Sequence, residues 1–235
     1  NLCCEINLPT KPLKEINDPD GEISLCTLSA INWGVVKDLD DMQKVCDLAV
    51  RALDELLDYQ EYPVLAAELS TMKRRPLGVG IINFAYWLAK HDSTYQEPDL
   101  ELIDEWTEAW SYGLIKASAN LAIEKGAISG NMETKYGHGI TPNQTYKEEV
   151  DGLVKHKERM DWKGLRKQLA ETGIRNSTLM AIMPAETSAQ ISNSTNGIEP
   201  PRSFVTVKQS KHGILKQVVP GYPRLQNKYD LLWDQ

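Results

Sequence analysis

The sequence predicts an α/β fold with parallel strands. Three observations carry that prediction: apolar segments without a wet face, long stretches with helical apolar spacing, and the regular alternation of the two along the chain. Thr178-Leu179-Met180-Ala181-Ile182 and Leu77-Gly78-Val79-Gly80-Ile81-Ile82 are too continuously apolar for a strand with one side in water.

Taken in order, residues 1–8 read as a short buried segment, and Pro9, Pro12, Asp18-Pro19-Asp20 and Gly21 then enforce turns. Ile23 to Leu28 alternates apolar and polar residues and predicts a strand. From Asp40 to Tyr59 the residues Met42, Val45, Cys46, Ala49, Leu53, Leu56 and Leu57 recur at the spacing of an amphipathic helix. Arg75 to Ile82 predicts a buried strand, with a helix over Asn83 to Lys90. Leu100 to Lys125 predicts a long helix ending before Gly126, and the acidic positions between Glu97 and Glu108 are assigned to its solvated face. Gly137 to Pro142 is loop-like, Trp162 to Thr172 a shorter helix, and Thr178 to Ile182 a further buried strand. After Pro184 a polar loop leads into a helix start. Phe204 to Lys208 and Gly213 to Val219 predict a hairpin.

At 235 residues the chain is expected to form one domain, and 41% hydrophobic with 25% charged residues is the balance of an ordinary globular protein. A net charge of −7 and scattered basic residues argue against a polynucleotide partner. The longest apolar run is interrupted by Asn83 and is shorter than the roughly 20 residues of a membrane span, so no membrane is expected. Cys3, Cys4, Cys26 and Cys46 form neither a disulfide scaffold nor a C-x-x-C pair, which suits a reducing, cytoplasmic setting. His91, His138, His156 and His212 never approach ligand spacing, so no metal site is expected; Gly78-Val79-Gly80 lacks the third glycine of a dinucleotide fingerprint. The start at Asn1 within an apolar stretch reads as the middle of something longer.

Two constellations carry chemistry. Asn1, Cys3 and Glu5 stand at i, i+2 and i+4, so in an extended segment an amide, a thiol and a carboxylate share one face. Spacing alone leaves open a reactive thiol or a packed one, since cysteine is among the most buried residue types. Cys4 points the other way and is assigned to packing, as is Cys46 in its helical stripe; Cys26 is open between filler and function. The second constellation is Pro184, Ala185, Glu186, Thr187 and Ser188, where hydroxyls and amides at a helix start can hold an anion or simply cap the helix.

Asn1-Leu2-Cys3-Cys4-Glu5-Ile6, Leu25-Cys26-Thr27-Leu28-Ser29-Ala30-Ile31-Asn32, Arg74-Arg75-Pro76-Leu77-Gly78-Val79-Gly80 and Met183-Pro184-Ala185-Glu186-Thr187-Ser188-Ala189-Gln190 occur in one order. With Asn196-Gly197-Ile198-Glu199-Pro200-Pro201, Val218-Val219-Pro220 and Leu231-Leu232-Trp233, they resemble the large, catalytic subunit of class I ribonucleotide reductases over practically the whole chain. Cys4 is a departure, a thiol where many relatives are apolar.

The resemblance implies the second half of a ten-stranded α/β barrel, a single partial catalytic domain over residues 1–235 with its finger loop at 1–8 and its phosphate loop near 184–188. It implies that Cys3 carries a thiyl radical that takes the ribose 3′ hydrogen, that Glu5 accepts the 3′ hydroxyl proton, and that Asn1 hydrogen-bonds the sugar. Cys26 would be one of two reducing thiols, and Pro184, Ala185, Glu186, Thr187 and Ser188 would hold the substrate's diphosphate. Implied partners are the N-terminal part of the large subunit, a separate metal-containing small subunit that supplies the radical, a ribonucleoside diphosphate, and thioredoxin or glutaredoxin as reductant. No cofactor is expected in this chain. Two other readings stand beside it: a cobalamin-dependent or glycyl-radical reductase, which the Pro-Ala-Glu-Thr-Ser and Asn-Gly-Ile-Glu-Pro-Pro runs disfavour, and a non-catalytic fragment that binds nucleotide or a partner subunit.

Overall fold

The computed structural model describes residues 5–211 and 213–234. Its centre is a parallel pair of strands, β1 (Thr27–Asn32) and β2 (Leu77–Ile82), joined by two helices, α1 (Leu39–Tyr59) and α2 (Leu65–Arg74). The register runs from Thr27 opposite Leu77 to Asn32 opposite Ile82. All six residues of β2 are buried, as its uninterrupted apolar character predicts. β1 lies four residues beyond the predicted start: Ile23 instead donates its amide to the Ala66 carbonyl of α2, so alternation there marks an extended approach to the strand.

α1 begins where the Asp38 carboxylate accepts the Asp41 amide, which satisfies one of the orphan donors of a helix start. Its apolar stripe packs on α4 (Leu100–Lys125), closely enough that a Cβ on Gly113 would stand 3.0 Å from Gln43 Nε2 and 3.1 Å from the Cys46 sulfur. Gln43 Nε2 donates to the Ala109 carbonyl at 2.7 Å and Arg51 forks onto Glu124 at the rim. Leu56, counted in the stripe from its spacing, is 43% exposed at the stripe's edge. Apolar spacing gives no sign of α2. Its buried face consists of Ala66, Ala67, Ser70, Thr71 and Arg74, residues too small or too polar to register as hydrophobic.

α3 (Phe84–Lys90), α4 and α5 (Trp162–Thr172) occupy the predicted ranges within a residue. Asp99 and Asp161 cap α4 and α5, and Gly126 and Gly173, both at positive φ, end them. The predicted strand over Thr178 to Ile182 is instead an extended segment with one bridge, Val79 to Met180. The cause is a slip. Leu77 donates to the Thr178 carbonyl, but Val79 donates to Leu179, so two residues of β2 meet one of its neighbour and the ladder breaks. Ile182, expected in the core, is 44% exposed.

The acidic face of α4 also departs from expectation. Glu108 is 4% exposed, and its Oε1 accepts the amides of Arg159 and Met160 and the Trp162 indole N–H. A carboxylate saturated by three donors tolerates burial that an unpaired one does not. Glu108 thus anchors the start of α5 rather than facing water. Beyond α6 (Glu186–Ile191), β3 (Val205–Ser210) and β4 (Gly213–Val218) form the predicted antiparallel hairpin.

Candidate functional site

One face of the parallel pair looks towards the helices and joins the main core through Ile31, Leu77 and Val79. The other face carries Leu28 and Gly78. A Cβ on Gly78 would lie 2.5 Å from Leu28 Cδ2 and 2.9 Å from Ala181 Cβ, and one on Gly80 would lie 2.3 Å from the Met183 sulfur. Both glycines are required, because nothing else lets the 181–183 segment approach so closely.

Ile6 lies against this face. It is buried with Ala181 and Met183, while Leu8 and Ala30 pack around it. The segment that begins at Glu5 therefore runs over the glycine-bearing face of β1 and β2. Of the predicted set, Asn1 and Cys3 lie outside the described residues, as does Cys4. Glu5 is half-buried beside Ile6.

Cys26 directly precedes β1. It is exposed, and stands two residues before Leu28, at the register that the strand's alternation gives to the face Ile6 covers. Cys46 is different. It is fully buried between α1 and α4, its Sγ is 3.6 Å from the Trp110 carbonyl, and burial pushes its thiol up to about 12. Thiolate is the reactive form, so Cys46 is chemically silent in the folded chain. In a thiol titration of native protein at pH 8, Cys46 is expected to react only after denaturant is added; its modification in native buffer would contradict this packing.

The segment Pro184 to Ser188 leaves the same sheet at its carboxyl end. Ala185 leads into α6, and Glu186 has a positive φ of 36°. Its amides are less available than sequence suggests: Ala185 and Glu186 donate to Asn196 Oδ1 at 2.8 and 2.9 Å, and Ser188 donates to the Ala185 carbonyl. The Thr187 and Ser188 side chains are exposed. Sequence reasoning passed over Asn196 as a holder of this turn; the signal lay in Asn196-Gly197, whose glycine takes a φ of 51°.

A cleft of about 280 Å³ opens between α6, the 194–203 segment and the hairpin, with Glu186, Glu199, Arg202 and Lys208 among its lining. Lys208 Nζ reaches Gln190 Oε1 and Gln217 Nε2 donates to the Ser194 carbonyl, so the hairpin is tied to the loop region. Among the described residues no group of three or more His, Cys, Asp or Glu could hold a metal ion, and no helix is long and apolar enough to cross a membrane.

The chain is 56% identical over all of its 235 residues to the ribonucleoside-diphosphate reductase subunit alpha of Haemophilus influenzae. It is 54% identical over the same length to the ribonucleoside-diphosphate reductase 1 subunit alpha of Escherichia coli, and 47% identical over 99% of the chain to the subunit alpha of Enterobacteria phage T4. The chain spans 31% of the length of the first two and 30% of the third. Residues 1–231 match the family described as ribonucleotide reductase, barrel domain, and the chain belongs to that family.

Proposed function

We propose that this chain is the catalytic part of a ribonucleoside-diphosphate reductase large subunit, the second half of a ten-stranded barrel whose finger loop is residues 1–8. Its reaction is the radical reduction of a ribonucleoside diphosphate to the 2′-deoxy product, used in DNA synthesis. The observation that carries the reading is the approach of the segment beginning at Glu5 to the strand face that Cys26 precedes, with the Pro184 to Ser188 loop at the carboxyl end of the same sheet.

Each residue has a role in this reading. Cys3, as a thiyl radical, takes the 3′ hydrogen of the ribose. Glu5 accepts the proton of the 3′ hydroxyl, and Asn1 holds the sugar hydroxyls. Departure of the 2′ hydroxyl as water then calls for two electrons and two protons. Cys26 and a second thiol from the preceding part of the large subunit supply them and end as a disulfide; Cys3 returns a hydrogen atom to C3′ and regains its radical. Thioredoxin or glutaredoxin reduces the disulfide, and a separate metal-containing small subunit generates the radical. Cys46 is excluded as the second thiol by its burial in a different part of the core.

The diphosphate contacts Pro184, Ala185, Glu186, Thr187 and Ser188. Because both residues are exposed, loss of their hydroxyls should be felt by the ligand and not by the fold. Thr187→Ala with Ser188→Ala is expected to weaken nucleoside diphosphate binding by roughly 1–3 kcal/mol, the scale of hydrogen bonds to a charged group. Calorimetric titration of the full large subunit measures it. Unchanged affinity would reduce this segment to a helix cap.

A further inference from the structure

Polar side chains at the carboxyl ends of β1 and β2 form one continuous hydrogen-bonded chain that leads to the 185–188 turn. Asn83, the residue after β2, is 2% exposed with a φ of 65°, a left-handed conformation that asparagine tolerates better than most residues. It stands at the N-cap of α3, where an asparagine side chain ordinarily accepts an amide of the first turn, yet it makes no such bond.

Its amide is turned elsewhere. Nδ2 donates to Asn32 Oδ1 at 2.9 Å, Oδ1 accepts the Thr195 amide at 3.0 Å, and the Asn83 backbone N–H donates to the Thr195 carbonyl at 2.9 Å. Asn32 Nδ2 in turn donates to Ser194 Oγ at 2.8 Å. The Ser194 and Ser192 hydroxyls meet at 2.9 Å, and Ser192 Oγ donates to the Ser188 carbonyl at 3.0 Å. On the other side of Thr195, Asn196 holds the amides of Ala185 and Glu186.

The two strand ends therefore hold Ser194 and Thr195, and the neighbouring Asn196 and Ser192 hold the two ends of the turn. Gly34 makes room for the arrangement: a Cβ there would stand 2.4 Å from Asn83 Nδ2 and 2.6 Å from the Tyr86 ring. A helix cap given up for a pair of cross-chain bonds is an arrangement that orders the turn, and ordering donors before a ligand arrives lowers the entropy cost of binding.

We propose that Asn83, acting with Asn32, is a positioning residue that sets the diphosphate loop of the reductase. This rests on the reading of Pro184 to Ser188 as diphosphate-binding. Asn83 touches no reacting atom; it works through Thr195, Ser194 and Asn196.

The test uses the full-length large subunit carrying this segment, assembled with its radical-generating small subunit. Asn83→Gly keeps the left-handed backbone accessible and deletes the amide. It is expected to raise KM for a nucleoside diphosphate roughly tenfold, the weight of one or two positioned hydrogen bonds, with a much smaller change in kcat. Affinity for the nucleoside without its diphosphate should stay within about twofold, since positioning serves the diphosphate alone. Asn83→Asp, which keeps the acceptor for Thr195, should restore part of the loss, and Asn32→Asp, which removes only the donor to Ser194, should fall between. Tm of each variant is measured in parallel.

Equal losses for diphosphate and nucleoside, or a fall in kcat with KM unchanged, would overturn the inference, because a side chain that only maintains the fold acts on both alike. If Asn83→Gly does not fold, the same split is read from Asn32→Asp. A parent enzyme that binds the diphosphate in preference to the nucleoside but reduces nothing would defeat the functional reading while the positioning role is still decided by binding. An active parent whose diphosphate affinity ignores these substitutions defeats the inference alone.

Discussion

Cys3→Ser is expected to abolish ribonucleotide reduction in the assembled enzyme while affinity for the nucleoside diphosphate stays near normal. An S–H bond is weak enough for its radical to exchange a hydrogen atom reversibly with a ribose carbon, and an alcohol O–H bond is not. A serine at this position therefore has no route into the cycle. Its shape and hydrogen bonding are close to those of cysteine, so binding has little reason to change. The loss should reach at least about 10³-fold, which corresponds to ~4 kcal/mol in the barrier. Cys4→Ala, at a position assigned to packing from its spacing, should retain turnover. The assay is conversion of a labelled nucleoside diphosphate with a thioredoxin-type reductant. Substantial turnover by Cys3→Ser would remove the residue from the mechanism, and loss in both variants would point to damage of the segment as a whole.

The largest expected effect on stability is at Asp54. This carboxylate is fully buried in α1, where Oδ1 accepts Arg75 Nε at 2.7 Å and Asn176 Nδ2 at 3.0 Å, and Oδ2 meets Arg175 Nε at 3.3 Å. Arg75, itself 3% exposed and at a φ of 43°, stands between α2 and β2, and its fork also holds Asp58 at 2.7 and 2.8 Å. That hydrogen-bonded fork holds the Asp58 carboxyl below the usual carboxylate range. Asp54→Ala removes the one fully buried anion from this cluster and leaves Arg75 with a half-exposed partner. Stranding a buried charge costs about 3–5 kcal/mol, several times the value of a surface pair. Urea denaturation followed by tryptophan fluorescence should show the midpoint fall accordingly. A shift equivalent to less than about 1 kcal/mol, the range of surface ion pairs, would mean that water or rearrangement compensates the guanidinium.

Local pattern carried much of the fold. The limits of α1, α3, α4 and α5 were readable because apolar spacing, and a breaker such as Gly126 at the end of α4, act within a turn or two of the chain. Loss of regular pairing at Thr178 to Ile182 was not readable: the slip is decided by which carbonyl Val79 reaches, and the strand partner is a hundred residues away. The same applies to Glu108. Nothing in an acidic helix face distinguishes the carboxylate that three donors will surround from the solvated one of Glu101.

By itself the sequence determined the α/β class with parallel strands, the hairpin, and the residue types at Cys26 and Pro184 to Ser188, because these follow from side-chain periodicity and from short ordered motifs. Only the tertiary structure decided that Ile6 lies on the glycine face of β1 and β2, that Cys46 is sealed between two helices, and that Asn83 turns from its helix to hold Thr195. The physical reason is separation along the chain. Periodicity reports contacts one or two turns apart, whereas Arg75 meets Asp54 across 21 residues, Trp162 meets Glu108 across 54, and Thr195 meets Asn83 across 112. A buried polar group must find its partner in space, and at such separations the packing of the whole chain selects which partner arrives.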